Sequence, residues 1–246
     1  MESRAEPRAP FEARGAGLFD RLDYRLIETP EDRDAVYAMR YRAYLHGGLI
    51  NPSASQRIVD SYDDAPNAWI FGIYLDGELC SSLRLHVLTS ELRMSYTSEL
   101  FGDVLHPRLD RGEVLVDPAR FAAEPDKSQR FPELPYLTLR LAYLACDHFN
   151  ADLGLAMVRT DHQAFYRRIF LHETLTEPRP FPGWHSRKVV LMASDFSTLR
   201  ERVLTRFPIM RSSAFERRML FERPAQTQMV SRPVLVSRAA SAATLV

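Results

Sequence analysis

The chain has 246 residues, 46% hydrophobic and 26% charged, a globular composition with enough length to bury a sizeable core; collagen-like, low-complexity and wholly disordered readings are excluded. Lys and Arg number 32, as do Asp and Glu, so electrostatic capture of nucleic acid is excluded as a main role, and no apolar run reaches the roughly 18 residues that cross a bilayer. The start carries Glu2, Glu6 and Glu12 among its arginines and has no apolar stretch, so it does not read as a secretory signal, and a cytoplasmic location is the expectation.

Residues 1–20 mix Pro, Gly, Ala and charge without period and read as a flexible arm. Tyr24 to Ile27 is a short strand. Thr29, Pro30 and Glu31 supply a cap, a first-turn proline and an acidic first turn, and Gly47-Gly48 a stop, so the spacing predicts a helix from Pro30 to His46. A loop follows to Asn67. Trp69 to Leu75 and Glu78 to Leu88 form a hairpin about Asp76-Gly77. Strict alternation in the second strand puts Leu79, Leu83, Leu85 and Val87 on one face and Cys80, Ser82, Arg84 and His86 on the other. A helical connector spans Ser98 to Leu105, and a strand from Glu113 to Asp117 ends at Pro118.

Pro132 to Phe149 carries the strongest helical stripe, through Leu134, Leu137, Leu141 and Leu144. A buried strand from Ala151 to Arg159, a helix from Asp161 to Phe170 capped by its first residue, and a strand from His185 to Ala193 complete the core. Ser194 or Asp195 caps a helix to about Arg206. This order predicts a mixed α/β (α+β) domain over 21–196, a largely antiparallel sheet with helices on both faces, then a C-terminal helical extension over 197–223 and a disordered tail over 224–246. Cys80 and Cys146 read as reduced core thiols.

Charged residues inside apolar elements mark the chemistry. Arg40 shares a helix stripe with Val36, Tyr37 and Tyr44, where an unpaired guanidinium is costly, and Asp60 and Asp63 supply carboxylates for it. Arg84 poses the same demand in mid-strand, and Asp117 with Arg120 adds a further pair, so one buried network is expected. The seven histidines show no metal-ligand spacing, and no Gly-x-Ser-x-Gly elbow or phosphate-binding Gly-Lys-Ser loop is present.

These residues carry a resemblance. Arg40-Tyr41-Arg42-Ala43-Tyr44, Asp60-Ser61-Tyr62-Asp63, Ser82-Leu83-Arg84-Leu85 and Asp117-Pro118-Ala119-Arg120-Phe121 resemble, in order, the signature of acyl-homoserine-lactone synthases: Arg-x-x-x-Phe, Asp-x-x-Asp, Arg-Leu and Glu-x-Ser-Arg-Phe. The chain is more similar still to their relatives, the long-chain N-acyl amino acid synthases. His162 to Phe170 looks like the Ala, Phe-Tyr, basic, Gly-Phe helix of the GNAT acyltransferase superfamily.

The resemblance implies a GNAT-like sheet that splits between two strands to admit an acyl donor. It implies Asp117, Arg120 and Tyr166 as catalytic residues, with Tyr166 the general acid, and Arg40, Tyr44, Asp60, Asp63 and Arg84 on the acceptor side. Asp117 stands where the family has glutamate, one methylene longer, so direct and water-mediated base roles both stay open. No glycine lies between Gly112 and Gly154, whereas CoA-dependent relatives cradle pyrophosphate on a Gly-rich loop there. The implied donor is therefore the acyl-phosphopantetheine of an acyl carrier protein, with no permanently bound cofactor and with acyl-CoA as the alternative. Residues 121–246 carry a net charge of +6 against −6 in 1–120, and Arg200, Arg202, Arg206, Arg217 and Arg218 are candidates for docking an acidic carrier. The expected reaction is amide formation between a long-chain acyl group and an amino acid or related small amine. A CoA-dependent acetyltransferase and a non-catalytic acyl-binding module of the same fold are the alternatives.

Overall fold

The computed structural model describes residues 15, 17–181 and 188–223. The expected strand start at His185 and the tail over 224–246 lie outside them. In chain order the elements are β1 (Leu22–Leu26), α1 (Pro30–His46), a 3-10 turn (Ser61–Asp64), β2 (Ala68–Leu75), β3 (Glu78–Leu88), α2 (Tyr96–Leu100), α3 (Gly102–Asp110) and β4 (Leu115–Ala123). There follow α4 (Pro125–Arg130), α5 (Leu134–His148), β5 (Leu153–Arg159), a 3-10 turn (Thr160–His162), α6 (Gln163–Phe170), β6 (Glu173–Thr174), β7 (Arg179–Pro180), β8 (Lys188–Asp195), α7 (Phe196–Arg206) and α8 (Ala214–Phe221).

The strands form one sheet in the order β1-β2-β3-β4-β5-β8-β6, with β7 also on β8. Every pairing is antiparallel except β4 with β5, which is parallel and short: only Leu115–Leu153 and Val116–Gly154 are in register. Beyond Val116 the two strands part. That split is the feature on which the site is built.

Local chemistry explains the elements that matter to it. The Thr29 side chain caps α1 by accepting from Asp32 N–H. Asp195, and not Ser194, caps α7 through Thr198 N–H. Asp161 does not cap α6: its carboxylate pairs with Arg159, and the chain reaches α6 through the 3-10 turn. Pro118 does not end β4, which runs on to Ala123. Past Val116 the strand has a partner on β3 alone, so a residue without an N–H breaks no bond on the open side.

The alternation expected of β3 fails at one point. Ile73 pairs with Ser81 and Tyr74 with Leu79, leaving Cys80 as a bulge. Leu79 therefore packs beside Met39 and Tyr44 under α1, while Cys80 joins Leu83, Leu85 and Val87 in the core beneath α5.

That larger core is filled by α5, α6, α7 and α8, and the opposite face by α1, α2 and α3. The C-terminal helices expected as an extension pack into the same core. Phe221 of α8 is buried against Trp69 and Phe71, and Arg140 of α5, 1% exposed, is held by Glu216 at 2.6 Å. The expected arm is likewise packed at its inner end, where Leu18 is buried. Among the described residues no helix is long and apolar enough to cross a membrane.

Candidate active site

A cavity of about 200 Å³ crosses the sheet where β4 and β5 part, from Tyr44 and Asp60 under α1 to Leu139 of α5 and Tyr166 of α6. It is smaller than the roughly 300 Å³ at which pockets enclose a drug-sized ligand, so it accommodates reacting groups and not whole substrates.

On the α1 side the expected charge network is present, with altered pairings. Arg40 and Asp63 are both fully buried and meet at 2.8 Å. Asp63 also receives Arg84 at 2.9 Å, and Arg84 reaches Asp60 at 2.5 Å. Asp60 then pairs with Arg120, whose Nε donates to it at 3.0 Å. Alternating guanidinium and carboxylate groups thus run from the interior to the cavity wall. Burial opposes ionisation of Asp60, but Arg84 and Arg120 outweigh it and hold the carboxyl well below the usual range. Burial also pulls Arg40 downward against the support of Asp63.

Arg120 owes its aim to a second bulge. Ser82 pairs with Ala122 and Arg84 with Ala119, so Arg120 and Phe121 together face Leu83. Arg120 adopts φ +52°, a left-handed conformation that costs a side-chain-bearing residue about 1–2 kcal/mol. Its guanidinium is about a fifth exposed at the cavity, beside Tyr44.

Asp117 departs from expectation. It does not pair with Arg120; it is fully buried on the α2 side, and its Oδ1 accepts the Thr97 hydroxyl at 2.9 Å. Burial pushes its carboxyl up to about 6, against the pull of the Ser95 and Thr97 hydroxyls and of Arg84. Thr97 itself lines the cavity, so Asp117 stands one side chain behind the wall. Across the ladder from it, His86 is driven down to about 4, chiefly by burial, and its Nε2 lies 3.2 Å from the Tyr62 carbonyl.

Tyr166 lines the cavity from the α5 face, and burial pushes its phenol up to about 12.

Of the eight central residues inferred from sequence, Tyr44, Asp60, Arg84, Arg120 and Tyr166 border the cavity. Arg40, Asp63 and Asp117 support it from behind, which corrects the expectation that Arg40 and Asp63 meet the acceptor. Sequence reasoning missed Ser95 and Thr97, whose only local signal was a serine positioned to cap a short helix. Among the candidate docking arginines, Arg200 and Arg217 converge on Asp147 and Arg218 lies 4.0 Å from Glu222, whereas Arg202 and Arg206 are exposed. Among the described residues no cluster of His, Cys, Asp and Glu suits a metal ion.

A split sheet with a buried network of paired charges at one mouth and a tyrosine at the other fits an acyltransferase of GNAT-like architecture. Residues 35–195 match the family model described as N-acyl amino acid synthase FeeM, and the chain belongs to that family of N-acyltransferases. The structure of FeeM from uncultured soil microbes superposes with TM-score 0.62 at 16% identity, covering 75% of this chain and 96% of that one. The CoA-dependent acyl-homoserine lactone synthases MesI (TM-score 0.53, 15% identity, 78% and 97% covered) and BjaI with SAM and isopentyl-CoA (0.52, 16%, 73% and 83%) share the fold. No curated protein sequence matches the chain significantly.

Proposed function

We propose that the chain moves a long-chain acyl group from the phosphopantetheine thioester of an acyl carrier protein to the amine of an amino acid or related small amine, in the cytoplasm. The observation that carries the choice of donor is the N-terminus of α5. Leu134 N–H is bonded to the Phe131 carbonyl, Pro135 has none, and Tyr136 and Leu137 N–H are bonded to the Glu133 carbonyl. A helix N-terminus offers a CoA pyrophosphate its unpaired N–H groups; here they are occupied or absent, and the side chain at that turn, Glu133, is a buried carboxyl group. A donor presenting only the pantetheine arm needs no such cradle.

The acceptor enters on the α1 face. Asp60, held ionised, receives its ammonium group, and Arg120, the guanidinium of the network that reaches the cavity, receives its carboxylate. Once neutral, the amine nitrogen attacks the thioester carbon; the C–N bond forms and the C–S bond breaks. The ammonium gives its first proton to solvent on becoming neutral; the second, lost after attack, passes by way of the Thr97 hydroxyl to Asp117. The departing sulfur takes a proton from Tyr166, and proton exchange with solvent returns Asp117 and Tyr166 to their starting forms. A phenol raised to about 12 stays protonated until a thiolate is there to accept. Backbone N–H groups of β4 beyond Pro118, on the side β5 has left, stabilise the oxyanion.

The test is incubation of the purified chain with acyl carrier donors and a panel of amino acids, read by mass spectrometry for N-acyl amides. Amides formed from carrier-bound acyl groups are expected. Equal or better use of acyl-CoA overturns the donor assignment, and no amide from any donor overturns the activity.

A further inference from the structure

His86 of β3 is fully buried and does not border the active-site cavity. It is the register partner of Asp117 in the antiparallel ladder, within a regular stretch from Arg84–Ala119 to Leu88–Leu115. Directly opposed residues share a face with Cβ atoms about 5 Å apart, so the two side chains lie against each other on the α2 side. Of the ring nitrogens, Nε2 is the outer one and lies 3.2 Å from the Tyr62 carbonyl. A carbonyl only accepts, so Nε2 carries the hydrogen, and the neutral imidazole keeps a bare lone pair on Nδ1, the nitrogen nearer the strand. Nδ1 has no hydrogen-bond partner. Neither has Asp117 Oδ2, whereas Oδ1 takes the Thr97 hydroxyl.

The charged and titratable groups around the pair have other ties. Arg84, two positions back on β3, is bound to Asp60 and Asp63 of the 3-10 turn, and its charge opposes protonation of the ring while theirs favour it. The Tyr62 ring stands edge-on to the imidazole at 6.3 Å, and its hydroxyl donates to Glu99. On β2 the residue opposite His86 is Ala68. From α2 the Ser95 hydroxyl, which also accepts from Ser98 N–H, and the Thr97 hydroxyl favour the Asp117 carboxylate. Burial dominates at the ring, which at about 4 stays neutral at neutral pH. Two bare acceptor atoms side by side in the interior repel while Asp117 is ionised, and a hydrogen bond joins them once its carboxyl carries a proton.

We propose that His86 is the positioning residue of Asp117: its Nδ1 accepts from the proton-bearing oxygen of the carboxyl group, which makes Asp117 a stronger base and holds the captured proton apart from Thr97. The inference rests on the acyl-transfer reading and adds to it a residue that acts through Asp117. A proton arriving by way of Thr97 reaches Oδ1. A half-turn of the carboxyl group about its Cβ–Cγ bond carries that O–H round to Nδ1 and returns a bare oxygen to accept from Thr97.

The experiment follows the Asp117 carboxyl carbon and the His86 ring nitrogens by NMR while the full chain, without substrate, is titrated across the carboxyl's range. The Nδ1 signal is expected to move with the same midpoint as the Asp117 carboxyl, near pH 6, and to lose that step in Asp117→Asn, while Nε2, held by the Tyr62 carbonyl, moves far less. In His86→Phe the Asp117 midpoint is expected about one pH unit lower, the shift that one buried hydrogen bond is worth. The acid limb of kcat moves down with it, and KM for the amino acid is unchanged because the ring touches no substrate. A histidine that only fills space would move neither midpoint nor limb. An Nδ1 signal indifferent to the titration of Asp117 overturns the inference, and this is read on the unaltered chain, whether or not the variant folds. An unchanged Asp117 midpoint in folded His86→Phe overturns it equally. Coincident steps in a chain that forms no amide from any donor leave the pairing standing and overturn the acyl-transfer reading.

Discussion

At the scale of single residues the site separates two carboxylates by environment. Asp60 sits among guanidinium groups and is ionised at any working pH, which suits it to bind an ammonium group and makes it a weak base. Asp117 is buried beside the Ser95 and Thr97 hydroxyls, with His86 across the ladder and Arg84 too weak an influence to offset burial, and a value near 6 makes it a competent proton acceptor at neutral pH. Its position costs stability. A carboxyl whose folded pKa lies above its unfolded value of 3.8 holds its proton more tightly when folded, so stability falls as pH rises from about 4 to about 6 and is flat above. Asp117→Asn keeps an acceptor for Thr97 and removes the buried charge. The variant is expected to be more stable than the parent at pH 7 by about 1–3 kcal/mol, with the gain gone below about pH 4, while amide formation drops at least about a hundredfold. Urea melts at the two pH values, with rate measurements, check this. A variant less stable at neutral pH would mean that Asp117 is not the strained acid described here.

At the scale of elements, α5 makes a prediction about the donor that is independent of any side chain in the cavity. Its first turn has no N–H left to bind phosphate, so the nucleotide of a CoA ester gains nothing there. Acyl-pantetheine and acyl-CoA of equal chain length are expected to give kcat/KM values within about threefold of each other. A CoA ester better by a hundredfold would show that the nucleotide is held elsewhere. The lack of glycine ahead of α5 was legible in the sequence, because glycine acts through the backbone and needs no tertiary context. The charge network was legible for a related reason: Arg40 and Arg84 lie in apolar elements, so partners had to exist. What could not be read was the pairing, because bulges at Cys80 and Arg120 shift which residue faces which side, and a bulge has no periodic signature. Thr97 escaped notice because its importance comes from β4 bringing Asp117 beneath it, a contact 20 positions away in the chain. The strand ending expected at Pro118 failed because a proline stops a strand only where its N–H is needed, and the split had removed that need.

At the scale of the molecule, the positive half of the chain has to be sorted into charges already used and charges still available. Arg200 and Arg217 are spent on Asp147 and help fasten α7 and α8 to α5, so their removal would loosen the core and report on nothing else. Arg202 and Arg206, one turn apart on α7, are exposed and have no ion pair among the described residues. The Phe207 ring after them lies tilted beside Tyr136 at a centroid distance of 6.5 Å, and the Tyr136 hydroxyl accepts from exposed Arg168 of α6 at 3.0 Å. Arg206, over the Phe207 ring, and Arg168 thus stand near Tyr136 in the first turn of α5, the side from which, on the proposed reading, a pantetheine arm approaches Tyr166. An acidic carrier protein delivering that arm would be steered by them, whereas a free thioester would not. Replacing the exposed pair on α7 by glutamate, Arg202→Glu with Arg206→Glu, is expected to raise KM for acyl carrier protein about tenfold and to leave KM for acyl-pantetheine unchanged. The parent's advantage with the carrier should shrink between 50 and 300 mM salt, about the range in which the screening length falls below 10 Å. Parallel steady-state assays with the two donors distinguish the outcomes: a rise in KM for both would mean that the substitutions disturb α7 and the cavity beneath it, and no change for either would place the carrier on another face.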